Sequence, residues 1–153
     1  MALYNWDHLD LARCLESLAD TGLVDTELIV VDNASLEACP ASLMTAYPEV
    51  TWLRSAQNMG FGGGNNLAAQ HARGEYFVFL NPDTMVQAGW LEALTAALDA
   101  HPQAGLATPK ILLMDDPKQL AGQLLGRLDR REFSTLRLLL TQLTKPMDKP
   151  VIR

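Results

Sequence analysis

Apolar and polar positions follow two different periods along this chain. After Asp7, apolar residues recur at helical spacing and predict an amphipathic helix that ends near Gly22. Short apolar runs rich in β-branched and aromatic residues predict four strands, at residues 27–31, 50–53, 76–80 and 105–112. Helical segments are predicted between them, at residues 42–47, about 65–73, and 90–100. This alternation predicts an α/β/α sandwich, Rossmann-like, with a mainly parallel sheet.

The last quarter of the chain has a less regular pattern. Residues 133–143 are apolar enough to predict a helix, whose leucines we expect to pack on the core or on a second copy in a homodimer. Contact of these leucines with a membrane surface is the alternative. Residues 145–153 contain two prolines and are expected to fray. The predicted organisation is a core over residues 1–114 and a partial, helical extension over residues 115–153.

Composition and charge narrow the possible partners. The chain is 48% hydrophobic and 20% charged, which is typical of an ordered globular protein. Its formal net charge of -6 offers no basic field, so nucleic acid is not expected as a partner. An anionic small ligand would therefore have to be bound by a local positive feature, either a bound cation or a set of backbone N–H groups.

The cysteines and the hydropathy pattern bear on the cellular compartment. Cys14 and Cys39 have neither zinc-ligand spacing nor a disulfide framework, so reduced thiols are expected. The first residues show no signal-peptide pattern, and no run reaches about 18 apolar residues. A cytoplasmic protein without a transmembrane segment is the resulting expectation.

Small polar and acidic residues follow two of the predicted strands. Asp32 and Asn33 end the first buried strand, and Asn81-Pro82-Asp83 ends the most apolar one. Ligands of parallel sheets bind beyond the carboxyl ends of the strands, where these residues would lie. A single well-placed carboxylate such as Asp83 can hold Mg²⁺ or Mn²⁺ when a diphosphate supplies further oxygens. Turn or helix capping remains the alternative for both aspartates.

A glycine-rich segment, residues 57–66, is predicted as a loop that leads into a helix. It lacks the last glycine of the dinucleotide-binding fingerprint and has no Gly-Lys-Ser/Thr, so neither a Rossmann dinucleotide site nor a P-loop is expected. Its glycines could also serve only tight packing and positive φ. His8, His71 and His101 are scattered and expected at the surface, and no nucleophile elbow supports acyl transfer.

Several ordered motifs together resemble family 2 glycosyltransferases of the GT-A fold, especially the rhamnosyltransferase-like branch. The similarity covers residues 3–112, and Arg130-Arg131-Glu132-Phe133 resembles the segment that follows in such enzymes. The motifs are Tyr4-Asn5, Cys14-Leu15-Glu16-Ser17-Leu18, Val30-Val31-Asp32-Asn33-Ala34-Ser35, Asn58-Met59-Gly60-Phe61-Gly62-Gly63-Gly64-Asn65-Asn66, Ala72-Arg73-Gly74-Glu75-Tyr76, Leu80-Asn81-Pro82-Asp83-Thr84, Gly89-Trp90-Leu91 and Pro109-Lys110-Ile111.

The resemblance implies transfer of a sugar from a nucleoside diphosphate sugar, a dTDP- or UDP-sugar, to an acceptor hydroxyl with inversion. The acceptor would be a saccharide, a polysaccharide or a lipid-linked sugar. Asn81-Pro82-Asp83 would replace the family's Asp-x-Asp motif, with Asp83 as the ligand of Mg²⁺ or Mn²⁺. The implied nucleotide-binding residues are Asp32, Asn33, Asn58, Gly60 and Asn81.

The sequence departs from the family pattern at both ends. The first strand is reduced to residues 2–4, so one central strand is expected to be short or borrowed. The family's later Glu-Asp segment, which supplies the catalytic base, has no counterpart before Arg153. No catalytic residue is therefore assigned, and a non-catalytic nucleotide-sugar-binding or dimerising module is the alternative function.

Overall fold

The structure, a computed structural model, describes residues 1–112 and 142–144. Strands and helices alternate through most of this part, as the hydrophobic pattern predicts. The elements in chain order are β1 (Ala2–Leu3), α1 (His8–Asp20), β2 (Ile29–Asp32), α2 (Ala41–Ala46), β3 (Thr51–Arg54), α3 (Gly60–His71), β4 (Phe77–Phe79), α4 (Trp90–Ala100), β5 (Leu106–Ala107) and β6 (Gln142–Thr144).

The strands form two three-stranded sheets. In the first, β2 lies between β1 and β3, and both pairings are parallel. In the second, β6 lies between β4 and β5, and both pairings are antiparallel. The predicted α/β class with a parallel sheet is confirmed, while the antiparallel strand β6 is not foreseen by the pattern.

Helices cover both faces of the parallel sheet because β2 is apolar at every position that faces a helix. Val30 belongs to a core cluster with Leu11 and Leu15 of α1. Its neighbour Val31 points the other way and packs with Ala68 of α3. Alternate residues of a strand face opposite sides of a sheet, so one strand anchors both helical layers. This arrangement is the predicted α/β/α sandwich.

Local signals fix the ends of α1. The Asp7 side chain accepts a hydrogen bond from the Leu9 N–H at 2.7 Å, which satisfies one of the free donors of the first turn. The helix is followed by Gly22, whose φ of 62° lies in the left-handed region that glycine adopts without strain. The predicted start and end of this helix are confirmed.

Two predicted boundaries are wrong. Helix α3 begins at Gly60, five residues before the predicted start at Asn65, so the glycine-rich segment forms the first turns of the helix. Strand β5 covers only Leu106–Ala107 of the predicted run over residues 105–112. In contrast, α4 has the predicted bounds and buries Leu94 and Leu98.

The C-terminal prediction is wrong where it can be compared. Gln142–Thr144 form strand β6, whereas a helix was predicted over residues 133–143. The rest of that segment and the predicted fraying of residues 145–153 lie outside the described residues. The division into a core over residues 1–114 and an extension beyond it stays a prediction. In the part of the chain that is described, no helix has the length and apolarity needed to cross a bilayer.

Candidate functional site

A cleft of about 450 Å³ lies beyond the carboxyl ends of β1, β2 and β4. Five of the six residues predicted to bind nucleotide or metal line it: Asn33, Asn58, Gly60, Asn81 and Asp83. The other lining residues are Ala2, Leu3, Tyr4, Trp6, Asp7, Asp10, Phe61 and Pro82. Residues from distant parts of the chain thus meet at the place where parallel sheets bind ligands.

Asn33 anchors the glycine-rich wall of this cleft. It is only 3% exposed, and its Nδ2 donates to Asn58 Oδ1 and to the Gly60 carbonyl, both at 3.0 Å. Its Oδ1 accepts from the Met59 N–H at 3.0 Å and from Ser55 Oγ at 3.2 Å. A primary amide offers two donor and two acceptor positions, and here the protein uses all four. Asn33 therefore positions the wall rather than offering free polar atoms to a ligand.

The wall itself is a tight turn at the entrance to α3. Gly60 has a φ of 69°, a conformation that favours glycine, and its N–H donates to Asn58 Oδ1 at 2.8 Å. The first turn of an α-helix leaves N–H groups without partners inside the helix. The turn thus places exposed Asn58 and Gly60 at the N-terminal end of a twelve-residue helix.

Helix α1 supports the opposite wall, which is the Asn81-Pro82-Asp83 segment. The Cys14 thiol donates to the Asn81 carbonyl at 3.6 Å, and Ser17 Oγ accepts from the Val86 N–H at 3.1 Å. Burial raises the pKa of Cys14 to about 12, so the thiol keeps its proton and can donate it. These two contacts hold the Asn81 carbonyl and the chain just beyond Asp83, at Val86, against α1.

Asp83 is exposed at the cleft and provides a carboxylate on this supported segment. Asp7 and Asp10 also line the cleft, so most of the side-chain atoms there that could bind a cation are oxygens. Oxygen ligands suit Mg²⁺ and Mn²⁺, which commonly take one or two protein carboxylates and complete their shell with phosphate oxygens. Within residues 1–112 and 142–144, no group of three or more His, Cys, Asp or Glu side chains could hold a metal. The residues present fit a cation that arrives with a diphosphate.

Asp32 is the predicted site residue that does not line the cleft. It is 4% exposed, and its Oδ2 accepts from Arg54 Nη1 at 2.8 Å. Its Oδ1 accepts from the Ser35 N–H at 2.9 Å, which is the turn-capping alternative. Of these two predicted carboxylates, Asp83 therefore lines the cleft and Asp32 does not.

Sequence reasoning missed several residues that shape the site. Tyr4 and Trp6 contribute aromatic surface to the cleft, and Phe61 adds a third ring. Tyr4 and Phe61 stand within motifs of the family resemblance but were given no role there, and Trp6 lies outside those motifs. Cys14 and Ser17 were missed as supports because a helix position does not reveal which loop it will contact. Arg54 was missed because it lies 22 positions after Asp32 in the sequence. Only the pairing of β3 with β2 brings the two side chains together.

Comparison with known proteins decides the family. The model of the family described as "Glycosyl transferase family 2" matches residues 1–148. The chain belongs to glycosyltransferase family 2. An uncharacterized protein of Sinorhizobium fredii, y4gI, is 35% identical over 127 residues, which is 78% of this chain and 14% of that protein. A Mycobacterium tuberculosis protein named N-acetylglucosaminyl-diphospho-decaprenol L-rhamnosyltransferase is 28% identical over 112 residues, 66% of this chain and 36% of that protein.

Two solved structures share the fold. A mannosyltransferase from Pyrobaculum calidifontis in complex with GDP-Man and Mn²⁺ aligns with a TM-score of 0.63 at 24% identity, covering 72% of this chain and 34% of that one. S. aureus TarS 1-349 in complex with UDP-GlcNAc aligns with a TM-score of 0.58 at 23% identity, covering 69% and 31%. The predicted GT-A fold is confirmed. This family 2 chain spans well under half the length of these relatives.

Proposed function

We propose that the cleft binds a nucleoside diphosphate sugar, a dTDP- or UDP-sugar, together with Mg²⁺ or Mn²⁺. The observation that carries the proposal is the convergence of Asn33, Asn58, Gly60, Asn81 and Asp83 on one cleft beyond parallel strand ends. Family membership supports it, as do relatives whose names include GDP-Man with Mn²⁺ and UDP-GlcNAc.

Each wall of the cleft has its own role in this proposal. Asp83 binds the metal ion beside the diphosphate, and the Asn81 side chain contacts the ribose or a metal-bound water. The metal, when bound, neutralises charge that develops on the departing diphosphate. Asn58 and Gly60 contact the nucleotide, while Asn33 holds them in place through its four hydrogen bonds. The aromatic rings of Tyr4 and Trp6 offer apolar surface for a base.

We infer that Asp32 acts on the nucleotide only indirectly. Its ion pair with Arg54 joins the ends of β2 and β3, and Arg54 Nη2 also donates to the Ser35 carbonyl at 2.9 Å. This network fixes the turn that follows β2, from which Asn33 reaches the glycine wall. Asp32 is thus a positioning residue for the cleft.

The proposed reaction is transfer of the sugar to a hydroxyl of a saccharide, polysaccharide or lipid-linked acceptor, with inversion of configuration. It requires a base to deprotonate that hydroxyl, and no residue of the chain is assigned this role. A cytoplasmic site of action is part of the same proposal.

Calorimetric titration with UDP, dTDP and GDP, each with and without Mn²⁺, tests binding. We expect saturable binding of UDP or dTDP that weakens strongly when Mn²⁺ is removed. A parallel assay of donor-sugar hydrolysis and transfer separates the functions, because binding without turnover identifies a nucleotide-sugar-binding module. The absence of binding by every nucleotide at millimolar concentration would contradict both.

A further inference from the structure

The aromatic wall of the cleft, which consists of Tyr4 and Trp6, lies in the short loop that links β1 to α1. Trp6 is partly buried and packs against the hydrophobic core. Tyr4 is 51% exposed, so core packing fixes little of its ring. The position of the Tyr4 ring therefore depends on the backbone of this loop.

Asn5 separates the two rings and has an unusual backbone conformation. Its φ of 46° lies in the left-handed region, which asparagine tolerates better than most residues other than glycine. Because Asn5 stands between Tyr4 and Trp6 in the chain, a change in its backbone angles would move one ring relative to the other. The conformation of Asn5 thus sets the shape of the aromatic wall.

Two hydrogen bonds hold Asn5 against the loop that follows β2. Its N–H donates to Ser35 Oγ at 3.1 Å, and its Oδ1 accepts from the Leu36 N–H at 3.0 Å. Asn5, Ser35 and Leu36 do not line the cleft themselves. The two bonds therefore act on the aromatic wall from outside the ligand space, through the backbone of the loop.

Ser35 is a firm partner for Asn5 because its three polar groups are all hydrogen-bonded. It is 3% exposed, its N–H donates to Asp32 Oδ1, and its carbonyl accepts from Arg54 Nη2, both at 2.9 Å. The preceding residue, Ala34, has a φ of 62°, which alanine rarely adopts. Such backbone strain persists only where the surrounding contacts impose it, and it is concentrated at functional sites. The ends of β2 and β3 thus hold Ser35, which in turn holds Asn5.

An aromatic wall held in this way is ordered before a ligand arrives. A loop that is already ordered loses less conformational freedom on binding, so its affinity for a ligand is higher than that of a mobile loop. We propose that Asn5 is a positioning residue that holds Tyr4 and Trp6 in place for the nucleobase. This role rests on the proposed binding of a nucleotide, which supplies the base.

Calorimetric titration of two variants with UDP and dTDP in Mn²⁺ tests the role of Asn5. Asn5→Gly keeps the left-handed backbone but loses the bond to the Leu36 N–H, and Ser35→Ala removes only the acceptor of the Asn5 N–H. We expect each variant to bind the nucleotide about tenfold more weakly than the parent chain, as when a base loses a stacked ring. Ser42→Ala, which removes an exposed hydroxyl outside the cleft, is the matched control and should bind as the parent does.

The metal ion provides a readout that separates positioning of the base from damage to the whole cleft. Because Asp83 belongs to a different segment of the cleft, the Mn²⁺ concentration that half-saturates the nucleotide complex should be the same in both variants as in the parent chain. Undiminished nucleotide affinity in both variants, or a loss accompanied by equally weakened Mn²⁺ binding, would overturn the role of Asn5 and leave the proposed function standing. A parent chain that binds no nucleotide would instead contradict the proposed function, and the role of Asn5 with it.

Amide hydrogen exchange tests the link between the two loops without any ligand. Leu36 is 87% exposed, so its N–H is protected mainly by the bond to Asn5 Oδ1. That amide should exchange about tenfold faster in Asn5→Gly than in the parent chain, and at the parent rate in Asn5→Asp, which keeps the acceptor oxygen. Equal exchange in Asn5→Gly and the parent chain would show that this bond does not hold the loop and would overturn the proposal.

Discussion

At the scale of single residues, Asn33 shows how a side chain can be essential to a site without being free to bind the ligand. Its four hydrogen bonds join β2, the Ser55 hydroxyl and the turn before α3. Removing the hydrogen-bond partners of a buried polar group destabilises the folded protein far more than removing those of an exposed group. Water cannot reach the buried group to replace the lost partners. The identity of this amide therefore determines the shape of the glycine wall.

Asn33→Asp should lower the free energy of unfolding by about 2–4 kcal/mol, because a carboxylate would face Asn58 Oδ1 and the Gly60 carbonyl with no proton to donate. Asn58→Asp is the matched control, since Asn58 Oδ1 only accepts hydrogen bonds and a carboxylate preserves them. Urea unfolding of both variants checks this. Equal stabilities for the two variants would show that the donated bonds do not hold the turn.

The two thiols should differ sharply in reactivity. Burial raises the pKa of Cys14 to about 12, and the Cys14 side chain is fully buried, whereas Cys39 is half-buried. Since the thiolate is the nucleophile, iodoacetamide at pH 8 should modify Cys39 first and Cys14 only after unfolding. Peptide mass spectrometry over time measures both rates. Modification of Cys14 at the rate of an unfolded thiol would contradict its packing beneath the Asn81 segment.

Sequence could predict most of these residues but not their partners. Strand ends are local features, so Asn33, Asn81 and Asp83 were recognisable from the polar residues that follow apolar runs. The partner of Asp32 is Arg54, which only the parallel register of β2 and β3 brings alongside. The sequence alone therefore does not show that the Asp32 carboxylate is already in an ion pair.

At the scale of elements, α3 shows why a helix can begin inside a run of glycines. Glycine lowers helix propensity by about 1 kcal/mol per residue relative to alanine, which is why the sequence predicts a loop there. Packing reverses that preference: a Cβ at Gly64 would lie 2.8 Å from the Ala2 Cβ and 3.4 Å from Asn33 Cγ. The absent side chain lets the helix approach β1 and β2 closely.

Gly64→Ala should therefore destabilise the chain by about 1–3 kcal/mol, despite the better helix propensity of alanine, because neither Ala2 nor Asn33 can move aside. Gly105→Ala provides the control, as a Cβ there meets nothing within 4 Å. Thermal unfolding of the two variants makes the comparison. A Gly64→Ala variant as stable as Gly105→Ala would contradict the close packing of α3 on β1.

Strand β6 illustrates the limit of periodicity at this scale. The leucine-rich pattern before it suits a helix, yet Gln142–Thr144 pair with both β4 and β5. Pairing with strands about 35 to 70 positions earlier in the chain is a non-local contact that no short window contains. The helices α1 and α4 were predicted well because their apolar faces are patterns within a short window of the sequence.

At the scale of the whole molecule, the terminal amine at Met1 couples stability to pH. Desolvation by burial lowers the pKa of this amine from 8.0 to about 6. The unfolded chain then binds more protons between these values, so stability rises as pH increases from about 6 to 8. The stabilisation is complete above pH 8 and lost as pH falls through 6.

Unfolding experiments from pH 5.5 to 8.5 should show an increase in stability of up to about 3 kcal/mol from this group. The Nα-acetylated chain is the control, because its terminal amide does not titrate and still carries an N–H for the Ile29 carbonyl. A slope that persists unchanged after acetylation would assign the effect to other groups.

At this scale, the proposed function requires that one cleft bind a nucleoside diphosphate through a metal ion held by Asp83. The most direct measurement is calorimetric titration of Asp83→Asn with UDP and dTDP in Mn²⁺, beside the parent chain and the matched control Glu49→Gln, an exposed acid outside the cleft. We predict that Asp83→Asn weakens binding at least about tenfold and removes its dependence on Mn²⁺, while Glu49→Gln binds as the parent does. Undiminished, Mn²⁺-dependent binding by Asp83→Asn would show that Asp83 does not hold the metal ion.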